Sequence, residues 1–403
     1  MKNSAWWFIG LGGMLMVTAG CAEETGTDAD GQNGGEAEVE TEVDVEGDEE
    51  VVNIGYTGPL SGPAAYYGEN TLNGMRMAAE EINEEGFEID GVTYKVNVIA
   101  YDDMYLPNEA GTNARRLVQE NDTAVVFVPH SGGVFATQVF NEEEEFLIAA
   151  YTSEPDVLEQ GNELTLRIPP AYTMYPDFFI DYQMENFGER LALLPTATQY
   201  GKDWTETIVP EWEEAGGEIV FDGEIDFSQD TDFYNIVSNA LNSDPDVLFV
   251  GGASEPTALV IDQAKELGFE GGFMVMDQAK LEEMEAVLGG YERLEGAVGV
   301  LPQLKSDAAG AEAFNTGYQE QYDRIPTSES AFNYQAMYVL VEAMKASGSV
   351  DDAQAIMAAM DEGVKALDEE DIVWYLEGVE DQGFDWLGGA AAVENGEIVV
   401  LEE

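Results

Sequence analysis

The sequence predicts an α/β fold built from two doubly wound, Rossmann-like lobes, and three observations carry that prediction. From residue 51 onward, short apolar stretches alternate with longer stretches of helical spacing, which is βαβ order. The alternation restarts after the double proline Pro169-Pro170. Beyond residue 304 the order changes to helices followed by weak strands, which cannot form a third α/β lobe.

The first run begins with the strand "VVNIGYT" (51–57) and a helix over 66–84. It continues with "YKVNVIAYDD" (94–103) and a helix over 108–120, then "AVVFV" (124–128) and a helix over 133–143. "FLIAAYT" (146–152), a short helix from Glu154 and the extended "LTLRIPP" (164–170) close it. Short apolar strands joined by helical crossovers argue for a parallel sheet buried on both faces. The second run places helices at 174–187, 202–215, 231–242, 256–267 and 280–288. Between them lie strands at 190–195, 217–225, 246–252 and 271–276. After "GAVGVLPQL" (296–304), helices are expected at 308–323, 330–346 and 351–360, with weak strands near 372–376 and 396–401.

The first 21 residues read as an export signal: Lys2, an apolar run from Trp6 to Val17, and the small-residue sequence Thr18-Ala19-Gly20-Cys21. The apolar run is shorter than the roughly 20 residues that span a bilayer. Cys21 is the only cysteine and excludes an internal disulfide. Its setting resembles a lipobox, with Thr18 where leucine is usual, which implies lipid attachment through Cys21. Residues 22–50 carry 13 acidic residues and no basic ones, the composition of a disordered tether. From residue 51, 69 acidic residues face 14 basic ones, so the acidity belongs to the folded surface. Such a surface repels nucleic acid and anionic membranes and suits a salty medium that screens it.

The loop "LSGPAAYYGENTLNG" (60–74) joins a strand to a helix but lacks both a Gly-Lys-Ser/Thr ending and G-x-G-x-x-G, which disfavours a phosphate site. Its expected work is to present Tyr67, with Ser61, Gly62 and Pro63 shaping the turn. The chain also lacks a G-x-S-x-G elbow and an H-E-x-x-H pair, and its single histidine cannot build a multi-histidine metal site. Binding is therefore expected rather than catalysis, with no cofactor or metal. An exported hydrolase using a carboxylate pair stays open as the less favoured alternative.

"GPLSGPAAYYGENTLNGMRMAAEEINEEG" (58–86), "YDDMYLP" (101–107), "SGG" (131–133), "YTSEPDVLEQG" (151–161), "TQYGKDW" (198–204), "GGASEP" (251–256) and "FMVMD" (273–277) occur in this order. The ordered set resembles the branched-chain amino acid binding proteins, of the type I periplasmic binding fold, across nearly all of 51–400. The resemblance implies three hinge strands, near 168–172, 299–304 and 370–385. It also implies lobe one from 51–170 with 303–372, and lobe two from 171–302 with 373–403. Ser131, Thr152 and Ser153 would meet a ligand's α-carboxylate, Thr152 also offering its carbonyl to the α-ammonium. Asp277 would pair with the ammonium, and Tyr67, Tyr105, His130 and Tyr200 would line the side-chain pocket. Read from local sequence alone, Ser131 is favoured as a helix cap, and Thr152-Ser153 before Glu154-Pro155 reads as another, a role compatible with binding a carboxylate.

Ala253 and Ser254 stand where leucine binders tend to carry aromatic residues, so a wider, more polar pocket is expected. The implied function is an extracytoplasmic, lipid-anchored, monomeric binding protein. It would deliver an amino acid or similar zwitterion to the permease of an ABC importer. A small amide or other carboxylate as ligand, or a role as a tethered sensor, are the alternatives.

Overall fold

The computed structural model describes residues 38–40, 43, 45, 47–62, 64–227 and 232–401. The expected signal peptide, Cys21, Pro63 and most of the acidic tether lie outside the described residues. No helix among the described residues is long and apolar enough to cross a membrane.

The first run of chain gives β1 (Glu38–Glu40), β2 (Glu50–Gly58), α1 (Ala65–Glu85), β3 (Phe87–Ile89), β4 (Val92–Asp102), α2 (Pro107–Asn121), β5 (Val125–Val128), α3 (Ser131–Gln138), β6 (Leu147–Ala150), α4 (Asp156–Glu159) and β7 (Thr165–Arg167). The second gives α5 (Pro176–Asn186), β8 (Arg190–Pro195), α6 (Gln199–Glu214), β9 (Glu218–Asp222), α7 (Tyr234–Leu241), β10 (Val247–Gly251), α8 (Ser254–Glu266), β11 (Gly272–Val275), α9 (Leu281–Leu288) and β12 (Ala297–Val300). The last part supplies α10 (Ala311–Tyr322), α11 (Ser328–Ser347), α12 (Ala353–Ala358), α13 (Met360–Ala366), β13 (Leu376–Glu380), β14 (Gly383–Trp386), β15 (Ala390–Glu394) and β16 (Glu397–Leu401).

These strands form two sheets. The first runs β1-β4-β2-β5-β6-β7-β14-β13, with β3 paired to β4, and the second runs β16-β15-β12-β11-β10-β8-β9. The centre of each is parallel, as the apolar strands and helical crossovers require. In lobe one, α1 and α11 cover one face through Leu72, Met75, Met337, Leu340 and Met344. Leu117 of α2 and Val134 of α3 pack on the other face. In lobe two, Ile261 and Met284 lie on one face, and Phe179, Trp204 and Trp212 on the other. Where α1 crosses α11 the backbones touch: a Cβ on Gly74 would fall 2.0 Å from the Ser330 carbonyl oxygen.

Two stretches depart from expectation. Residues 38–40, within the expected tether, pair antiparallel with β4, because the open edge of a sheet accepts any extended neighbour. Residues 376–386, expected in lobe two, form a hairpin that joins the first sheet beside β7. The chain therefore crosses between lobes at 168–171, 301–303 and 387–389, the third crossing falling later than the 370–385 expected. The crossings are tied to one another, the Leu301 N–H donating to the Gly389 carbonyl at 3.0 Å and the Trp386 indole to the Ile168 carbonyl.

Candidate functional site

Between the lobes lies a cleft whose free space is about 710 Å³ with the open solvent at its mouth included. All eight residues named from the sequence line it: Tyr67, Tyr105, His130, Ser131, Thr152, Ser153, Tyr200 and Asp277. The topology explains the convergence. β5, β6 and β11 end at Val128, Ala150 and Val275, so His130-Ser131, Thr152-Ser153 and Asp277 all sit just past the carboxyl ends of parallel strands. Open α/β sheets bind ligands there.

Asp277 of lobe two is the most heavily bonded of these residues. Its Oδ2 accepts from the Ser153 hydroxyl of lobe one at 2.5 Å, and its Oδ1 accepts from the Tyr200 hydroxyl and from the Trp204 indole at 3.0 Å. The Ser153 and Tyr200 hydroxyls are themselves 2.5 Å apart. Burial, reinforced by the Asp277 charge, pushes the Tyr200 hydroxyl well above the usual phenol range, so it stays a donor.

His130 takes the cap position expected for Ser131. Its Nδ1 accepts from the Gly133 N–H at 2.9 Å, which assigns the proton of the neutral ring to Nε2 and lets that nitrogen donate to Asp103 at 3.0 Å. Ser131 becomes the first residue of α3, at the helix N-terminus. Thr152 is not the cap expected of it: α4 begins at Asp156 with Pro155 at its N-cap and no side-chain cap, and the Thr152 hydroxyl only closes a local turn, accepting from the Glu154 N–H at 3.3 Å. The Tyr67 hydroxyl donates to the Pro129 carbonyl at 2.7 Å, binding α1 to the end of β5. Tyr105 stacks on His130, with ring centres 4.7 Å apart, and its hydroxyl accepts from Gln278 of lobe two at 3.2 Å. Burial lifts that hydroxyl to about 12.

Residues 51–371 match the family model described as periplasmic binding protein. The chain belongs to this family. Among its relatives, the leucine-, isoleucine-, valine-, threonine- and alanine-binding protein of Pseudomonas aeruginosa is 26% identical over 257 residues, 63% of this chain and 67% of that protein. Two solved structures share the fold. The isoleucine-bound substrate-binding protein of a Streptococcus pneumoniae branched-chain amino acid transporter is 20% identical, with a TM-score of 0.73 over 88% of this chain and 100% of the other. A benzoate-bound solute-binding protein from R. palustris is 18% identical, with a TM-score of 0.71 over 87% and 95%.

This periplasmic binding protein has further cleft residues that the sequence reading missed. Gln278 and Lys280 follow Asp277 on the same loop, close enough to have been suspected. Tyr151, Tyr175, Ser328, Phe332 and Trp374 also line the cleft, several brought there by the third stretch of chain. Lys280 is buried, donates to the Asp277 backbone carbonyl and pairs at 3.5 Å with Glu329 of lobe one. Burial alone would lower the Lys280 ammonium, but Glu329 and Asp277 outweigh it and hold its pKa above the ordinary lysine value.

Proposed function

We propose that this protein is the substrate-binding component of an ABC importer for amino acids, held outside the cytoplasm by a lipid on Cys21 and working as a monomer. The observation that carries this reading is the buried Asp277 carboxylate, facing lobe one across the cleft. An α-ammonium group would displace the Ser153 hydroxyl from Asp277 and pair with the carboxylate, beside Tyr200. The α-carboxylate would then lie toward Ser131, Thr152 and Ser153, near the N-terminus of α3, where N–H groups favour an anion. Tyr67, Tyr105 and His130, with Tyr151, Phe332 and Trp374, would enclose the side chain. The amino acid-binding names of the relatives support this class. Ligand favours closure only through contacts made by both lobes at once, which is how a hinged cleft reports occupancy to a permease.

The test is a thermal-shift screen in high salt with branched-chain and other amino acids, small amides, benzoate and sugars, because a ligand of the native state must raise Tm. Stabilisation by a group of amino acids supports the reading. A response confined to benzoate or amides would replace it.

A further inference from the structure

Beside the ligand cleft the lobes meet a second time, and the contact is made by acids. Glu283 on α9 of lobe two accepts from the Asn70 side chain on α1 of lobe one at 3.0 Å, and its other oxygen accepts from the Ser254 hydroxyl of α8. Ser254 in turn accepts from the Lys280 N–H at 3.0 Å, which ties this contact to the loop that carries Asp277. Around Glu283 stand Asn70 and Tyr66 from α1, Ser254 from α8 and Glu329 from α11, with Glu282 and Lys280 at the start of its own helix. Lys280 is the cation in this set, and it is already engaged by Glu329 and the Asp277 carbonyl. One step further out, Arg324 reaches Asn70 Oδ1 at 3.1 Å and pairs with Glu69. Three carboxylates thus share one ammonium across a seam that exists only when the lobes are together.

We infer that closing the cleft takes up a proton at Glu283, so that the same ligand is held more tightly in acid than in alkali. The inference rests on the reading of the cleft as an amino acid site worked by hinge closure. Bringing α1 and α11 against α9 strips water from Glu283 and sets Glu329 near it, while the bonds to Asn70 and Ser254 survive protonation of one oxygen. In the closed form burial, then Glu329, raises the Glu283 carboxyl to about 8, and burial foremost raises Glu282 to about 7. With the lobes apart Glu283 is hydrated and returns to the ordinary carboxylate range. A group whose pKa rises on closure favours the closed form fully in acid and loses that effect as pH climbs through its closed-state pKa. Affinity should therefore fall with rising pH across the interval between the open and closed values. One proton sets a limit of about tenfold per pH unit, and the partial exposure of Glu283 keeps the real slope below it.

The experiment is calorimetric titration of the purified protein with L-isoleucine in molar salt, at several pH values and in two buffers of unlike ionisation enthalpy. Expected are net uptake of about 0.3 to 1 proton per ligand near pH 6.5 and a Kd that rises at least about threefold from pH 5.5 to 7.5. Glu283→Gln should bind with a Kd that rises clearly less over that range, any remaining slope belonging to Glu282. Binding without proton uptake, or an undiminished pH slope in Glu283→Gln, overturns the inference alone. The proton count needs only the wild-type protein, so it decides the matter even if the variant does not fold. Absence of isoleucine binding at every pH overturns the amino acid reading and the inference together.

Discussion

Replacing Asp277 by Asn tests the charge logic of the cleft with little change in shape. Asp277 is buried and accepts three hydrogen bonds, from Ser153, Tyr200 and Trp204. Asn keeps one oxygen for Tyr200 and Trp204 and presents an amide to Ser153, whose hydroxyl can turn to accept, so the fold should lose only about 1–2 kcal/mol. The ligand loses much more. An ammonium buried without its partner costs about 3–5 kcal/mol, which is about 100- to 4,000-fold in Kd. Calorimetry with the amino acid that most raises Tm measures the affinity, and thermal melting measures the fold. A Kd within threefold of wild type, with the fold intact, would refute the assignment of Asp277 to the ammonium. Tighter binding of a simple carboxylate such as benzoate by the variant would show that the cleft was built for an anion.

Three other outcomes follow from the packing and charge. Gly74→Ala sets a methyl 2.0 Å from the Ser330 carbonyl oxygen and should cost about 2–3 kcal/mol in urea unfolding as α1 and α11 are forced apart; an unchanged midpoint would contradict the close approach. Lys280→Met leaves the buried Glu329 without its cation and should destabilise by about 3–5 kcal/mol, whereas a neutral result would mean that Glu329 finds water. We also propose that the surface is adapted to salt. Raising salt from 0.1 M to 2 M should lift Tm by at least about 5 °C, and a salt-independent Tm would dispose of that idea.

The parallel core was legible in the sequence because its strands are apolar runs: "AVVFV" and "DVLFVGG" became β5 and β10 within a residue or two. The 376–394 region was not, because its strands hold together by pairing rather than by composition. β13 carries Gly378 and a register shift, and the Ala390-Ala391-Ala392 run is weak strand sequence that becomes β15 through its ladder with β12. The site residues that follow strand ends in the two α/β runs were readable, since strand order places them together. Lys280 and Glu329 were not, because their partnership exists only after the third stretch folds back. Capping by His130 was also hidden: an imidazole is an uncommon cap, and Ser131 beside it offered the ordinary reading.

The three crossings also set an order of assembly on the growing chain. Lobe one opens the described chain, yet its core contains Phe332, Met337, Leu340 and Trp386. The first half of the protein therefore waits, its helix α1 uncovered, while all of β8 to β12 is synthesised. Lobe two lacks only β15 and β16 by then, and its buried centre is already in hand. The later domain in sequence is thus the earlier one able to fold. The earlier one keeps Leu72 and Met75 open to solvent until α11 arrives. A chain arranged this way is exposed to aggregation until its last quarter is present, and its closing contacts join residues far apart in sequence, which slows folding. Truncations near residue 300 should leave a lobe two that is partly structured and a lobe one that is not.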